Sequence, residues 1–225
     1  ALVRAMSEDD LVVVMPSEAH DAGLAMTASF TCLTLAALCL GWLEDEDEVR
    51  AEVDRAAAAA DRLLAESVGA ITESVGTGFR RAVFLGSGPL RGCATECALK
   101  LQELTAGEVM TFSESFLGLR HGPQASVNGE CLVVGLLSPE EGPRRYEADM
   151  LAELRAKGQG RHMLLVGAGV GEDLTALADG VIDLGPILGA PTWLLPIVDV
   201  VVGQLLGVFR SLSLGLAPDN PSPEA

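Results

Sequence analysis

The sequence has 225 residues and carries 15 basic against 32 acidic side chains, a formal net charge of −17 with a pI near 4.4. So acidic a chain repels a nucleic-acid backbone and an anionic membrane surface, and it does not draw in a phosphorylated ligand over distance; any phosphate must be held locally, by amides and hydroxyls. The length is enough for one α/β domain, or for one domain and part of another.

In chain order, Leu11 to Met15 reads as a short apolar strand behind the acidic Glu8-Asp9-Asp10. The loop Pro16 to Asp21 follows, with Asp21 placed as N-cap of an apolar helix and His20 as a hydrogen-bonded structural residue. Ala22 to Leu43 has no charged side chain, and Trp193 to Phe209 is interrupted only by Asp199, so both are long enough to raise the question of a bilayer span. Thr27, Ser29, Thr31 and Thr34 dot the first, and neither of its ends has a basic anchor. Helices buried between a sheet and a subunit interface are therefore expected. The acidic run Glu44 to Glu48 opens an alanine-rich helix to Glu66, where negative charge suits the helix dipole. A loop or short helix fills Ser67 to Gly78.

Arg81 to Leu85 is a strand, Gly86-Ser87-Gly88 its turn, and Pro89 the opening of the next helix. On that helix Glu96, Lys100 and Glu103 stand at i, i+4 and i+7, sharing one face over about 10 Å. The spacing alone fits a solvated Glu–Lys pair. Composition adds weight: Lys100 is one of two lysines against thirteen arginines, and an amine can lose its proton where a guanidinium cannot. Farther on, Cys131 to Leu137, His162 to Val166 and Gly180 to Leu184 read as strands, with Arg144 to Lys157 as a crossover helix. A last helix runs from Trp193 to near Gly215, before a proline-rich tail at Asp219 to Pro223. Alternating strands and helices predict a parallel sheet with helices on both faces. Gly167-Ala168-Gly169-Val170-Gly171 lacks the third spaced glycine of a dinucleotide fingerprint. The five cysteines, among them Cys93 and Cys97 at helical spacing, read as free thiols of a reducing cytoplasm, and no cluster has metal-ligand spacing. No basic leader with an apolar core opens the chain.

Four segments in order then become recognisable: LVVVMPSEAHDAGLAMTASFT from Leu11, GSGPLRG from Gly86, ECALKLQELTAGEV from Glu96 and GLRHGP from Gly118. Together they resemble the SIS-domain phosphosugar isomerases, nearest the tagatose-6-phosphate ketose/aldose isomerase or galactosamine-6-phosphate deaminase branch, with the isomerase half of glucosamine-6-phosphate synthase more distant. The resemblance implies an α/β three-layer sandwich of flavodoxin-like type. It places the end of a first SIS domain at residues 1–43 and a second SIS domain, with its tail, at 44–225.

By the same resemblance, Glu103 shuttles a proton between C1 and C2 of the open sugar and His121, donated by a neighbouring subunit, opens the ring. Lys100 orients Glu103 or stabilises oxygen charge, and Glu96 holds Lys100. Gly86, Ser87 and Gly88 shape the wall of the site, and Gly23, Leu24, Ala25 and Thr27 line the sugar from the first domain. The implied ligand is a hexose or hexosamine 6-phosphate, the implied assembly a homodimer, and no cofactor or metal is needed. The serine and threonine loop that grips phosphate in this family is not found in the sequence. Ser138-Pro139-Glu140-Glu141-Gly142 occupies the corresponding turn of the second domain, so the sequence is expected to be part of a longer protein. The alternative is a non-catalytic sugar-phosphate-binding regulatory module, since one fold serves both roles.

Overall fold

Five short runs of aliphatic and β-branched residues form one parallel sheet in the computed structural model, which describes residues 7, 12–41 and 46–222. The strands are β1 (Arg81–Gly86), β2 (Met110–Glu114), β3 (Cys131–Leu136), β4 (His162–Gly167) and β5 (Gly180–Asp183), in the order β2-β1-β3-β4-β5. The chain leaves β1 for β2 on one side and returns to β3 on the other, so the topological switch point lies between β1 and β3, at their carboxyl ends. β3 and β4 are buried along their whole length, as strands covered on both faces must be.

Helices cover the two faces unequally. On one lie α2 (Glu46–Glu66), α3 (Val68–Gly76), α4 (Pro89–Leu104) and α8 (Leu195–Ser213), packed over Phe84, Leu132, Val134 and Leu164. On the other, α5 (Phe116–Arg120), α6 (Glu141–Ala156) and α7 (Glu172–Thr175) close over Val83, Val133 and Leu165. This is the α/β three-layer sandwich expected. Among the described residues α8 is the one helix long and apolar enough to cross a membrane, and two thirds of its apolar window is buried inside the protein.

The α4–α8 contact explains two glycines. A Cβ at Gly203 would stand 2.6 Å from Cys97 Sγ, and one at Gly207 would stand 2.5 Å from Leu104 Cδ1 and 3.2 Å from the Lys100 carbonyl oxygen. With glycine at both positions the two backbones approach closely, and the Cys93 thiol donates to the Pro196 carbonyl across the seam.

Several expectations need correction. Val12 to Met15 form no strand: Val12, Val13 and Val14 are exposed and pair with no neighbour, and an extended segment without a ladder is not a strand. Leu11 lies outside the described residues, as does Leu43, where the domain boundary was expected. The apolar stretch from Ala22 yields only α1 (Ala28–Leu40), too short to span a bilayer. None of its residues is fully buried in this chain, although Phe30, Leu35 and Leu38 touch the core. Asp21 is not the N-cap by position, which is Thr27; it caps α1 from six residues upstream, as described below. The edge strand β2 is a feature that sequence reading missed.

Candidate active site

Two separate depressions carry the residues singled out from the sequence. The first lies between α1 and the last turns of α4, a cleft of about 260 Å³. Glu96, Lys100 and Glu103 line one wall with Leu99, while Met26, Phe30, Leu33 and Thr34 line the other. Lys100 Nζ stands 2.6 Å from Glu103 Oε2 and 3.3 Å from Glu96 Oε1, and only 3% of the lysine side chain is exposed. The i,i+3 and i,i+4 spacings place both carboxylates around one ammonium on a rigid helix. The inner oxygen of Glu103, Oε2, is shielded against Lys100, while a third of the side chain stays open to the cleft. That arrangement suits a carboxylate that exchanges a proton with a ligand: one oxygen anchored, the other side free.

The second depression is the switch-point crevice, about 50 Å³, lined by Ser87, Gly88, Ser138, Glu140 and Thr192 among others. Gly86 is required here, since a Cβ would fall 2.3 Å from the Leu90 carbonyl oxygen where the chain turns into α4. Open α/β sheets bind ligands at this point. Behind the crevice Glu147 is fully buried, and its Oε2 accepts the Ser138 amide at 2.9 Å. Burial pushes its carboxyl up; the Ser87 hydroxyl, the Ser138 amide and Arg144 draw it partly back. Arg144 in turn donates to the carbonyls of Ser138, Ala168 and Gly169, tying the ends of β3 and β4 together.

The expected site residues are thus divided. Gly86, Ser87 and Gly88 lie at the opposite end of α4 from Glu103, roughly 20 Å along the helix axis at 1.5 Å per residue, so within this chain they do not wall the same cleft. Gly23 and Leu24 pack against the C-terminal tail, with the Leu24 amide donating to the Asp219 carbonyl at 3.0 Å. Ala25 is buried. The Thr27 hydroxyl donates to Asp21 Oδ1 at 2.7 Å, so of this stretch only Met26 reaches the cleft. His121 caps α5 on the far layer of the sheet, exposed, with no hydrogen bond from its imidazole among the described residues. Met26, Phe30, Leu33 and Leu99 were missed, because a ligand-facing apolar residue on an apolar helix has the same pattern as a core residue.

Asp21 organises the entrance to α1. Its carboxylate accepts from the amides of Ala28 and Ser29, both at 2.9 Å, and from the Thr27 hydroxyl. Partial burial alone would raise it, but these donors outweigh burial and hold it well below the usual carboxylate range.

No protein-family model matches the chain. A Streptomyces coelicolor protein provisionally named D-galactosamine-6-phosphate deaminase AgaS is 41% identical over 94% of this chain, and relatives at 33 to 35% carry the same name. The crystal structure of tagatose-6-phosphate ketose/aldose isomerase from Escherichia coli is 34% identical, with a TM-score of 0.81 over 96% of this chain and 58% of its own. The chain matches the SIS phosphosugar isomerase branch. A Clostridium novyi NT structure given provisionally as the same isomerase superposes with a TM-score of 0.93 at 28% identity, over 99% of this chain and 57% of its own. The chain spans about half the length of the curated relatives it matches, 54% of the Streptomyces protein. The α1–α4 cleft is the depression that brings two carboxylates and one amine together.

Proposed function

We propose that this chain is part of a sugar-phosphate aldose-ketose isomerase or amino-sugar-phosphate deaminase that works by an enediolate proton shuttle. The observation that carries the reading is the Lys100–Glu103 pair, 2.6 Å apart in a cleft whose facing wall carries no charge. Glu103 takes the proton from C2 of the open-chain sugar and returns it to C1. Lys100 holds the carboxylate in place and balances the oxygen charge that develops. On an amino sugar the same shift yields an imine at C2; water adds there and ammonia leaves. His121, set on the other layer of the sheet, serves ring opening in a second copy, which makes the working unit a homodimer. The names carried by the relatives support a hexose or hexosamine 6-phosphate as substrate, and the free thiols suit a reducing cytoplasm as its place.

Residues 1–43 serve in this reading as the end of a first SIS domain and 44–225 as the second. The exposed Val12 to Val14 and the open apolar surface of α1 support that division. One observation favours a non-catalytic binding module instead: among the described residues lining the cleft, Lys100 is the one cation and it is already engaged by two carboxylates. Incubating the full-length protein with hexose and hexosamine 6-phosphates, and measuring ketose formation and ammonia release, tests the proposal. Turnover of either class that is lost in Glu103→Gln supports it; binding without turnover favours the module.

A further inference from the structure

We infer that Glu153 is a positioning residue for His121: its two carboxylate oxygens hold the chain on either side of the histidine, so that the exposed imidazole is presented at a fixed place to the cleft of a second copy. This rests on the ring-opening role proposed above for His121. Arg120 Nε stands 2.8 Å from Glu153 Oε2, and Gln124 Nε2 donates to Oε1 at 3.1 Å. One carboxylate on α6 thus grips the residue before His121 and the third residue after it. Lys157, the chain's other lysine, lies one turn farther along α6 with its Nζ 2.5 Å from Oε1.

The histidine turn needs such a hold. α5 has five residues and is followed by a single 3₁₀ turn, Pro123–Ser126, and pieces this short are not stable by themselves. Phe116 and Leu119 fix α5 in the core beside Met150 and Leu154 of α6, but the next hydrophobic side chain to be buried is Val127. Polar contacts bridge that gap: besides Glu153, Gln159 accepts from Gln124 Nε2 at 3.0 Å and donates to the Gln124 carbonyl at 3.1 Å. The Lys157 and Gln124 donors outweigh partial burial and, with the Arg120 charge, hold the Glu153 carboxyl below its ordinary value. It therefore stays charged over the neutral range in which an imidazole exchanges protons. A part-exposed ion pair adds little stability, so what this one supplies is placement. Misplacing a reacting group by about 1 Å costs up to ~10²-fold in rate.

The test uses the full-length protein with the hexose or hexosamine 6-phosphate that it turns over, and with the analogue lacking the hydroxyls at C4 and C5, which cannot close a ring. Glu153→Gln is expected to slow the ring-closing substrate about 10- to 100-fold and the analogue about twofold or less. Added to His121→Gln, it is expected to cause no further loss on the ring-closing substrate, because it acts through that histidine. Arg120→Gln, which frees one side of the turn, follows the same pattern and carries the test if Glu153→Gln does not fold. No slowing, equal slowing on both substrates, or a further loss on top of His121→Gln overturns the assignment while the role of His121 stands. Undiminished turnover of the ring-closing substrate by His121→Gln, or no turnover of any sugar phosphate by the wild type, removes the ring-opening reading and this inference with it.

Discussion

A methyl group on Gly207 would stand 3.2 Å from the carbonyl oxygen of Lys100, so the helix that carries the candidate catalytic lysine is held by the absence of a side chain on α8. Gly203 repeats the arrangement one turn earlier, against Cys97. Both glycines give up helix propensity for this close approach.

Gly203→Ala is expected to force α4 and α8 apart. Overpacking of this kind costs about 1–3 kcal/mol, and because Cα and Cβ of Cys97 are in contact as well as its Sγ, a change of rotamer does not let the neighbour yield. Thermal denaturation reads the loss. A variant as stable as the wild type would show that the helices can separate without cost.

Asp21 predicts an acid-sensitive α1. Its folded carboxyl is held below the unfolded value near 3.9, so its contribution is fully present above that value and is lost as pH falls from there through the depressed folded one. Asp21→Asn is expected to cost about 0.5–2 kcal/mol at pH 7, the range of a lost N-terminal cap, and nearly nothing in strong acid. Hydrogen exchange of the Ala28 and Ser29 amides reports the effect locally.

Asp199 has the opposite sign. It is 1% exposed on α8, its Oδ1 has no hydrogen-bond partner among the described residues, and burial pushes its carboxyl well above the usual value. A raised folded value means that its contribution is present below the unfolded value and is lost as pH rises through the folded one. Asp199→Asn is therefore expected to gain on the wild type as pH rises, by on the order of 1 kcal/mol or ~2–4 °C in melting temperature. Melting curves at pH 5 and pH 8 check this; a difference that does not change with pH contradicts it.

A shared site is testable by mixing inactive variants. If each site takes Glu103 from one copy and His121 from another, Glu103→Gln and His121→Gln combined after reversible dissociation recover roughly a quarter of wild-type activity. No recovery would mean that both residues serve the same chain's site, and a His121→Gln protein that is active by itself would mean that His121 serves none.

Much of the architecture was legible because burial on both faces writes itself into sequence. Cys131 to Leu136 and His162 to Gly167 are nearly unbroken apolar runs, and their strands follow. β2 was not legible, since the edge strand MTFSE is only partly buried and its polar residues meet α4, where the Thr111 hydroxyl donates to the Ala98 carbonyl. The Glu96, Lys100, Glu103 face was readable from helical spacing, which fixes the three side chains relative to one another. Their separation from Ser87 and Gly88 was not, because spacing within a motif does not reveal that a helix of 16 residues stands between its two ends. Glu147 went unnoticed for a similar reason: a glutamate on an amphipathic helix reads as solvated until the fold turns it towards the Ser138 amide.

The most direct test of the proton shuttle is proton NMR of the full-length protein in deuterium oxide with hexose and hexosamine 6-phosphates, beside Glu103→Gln. The account predicts deuterium at C1 or C2 of the substrate or product, with exchange reduced about 10²- to 10⁴-fold in the variant. Exchange that persists undiminished in Glu103→Gln, or no exchange with any sugar phosphate that the protein binds, would contradict it.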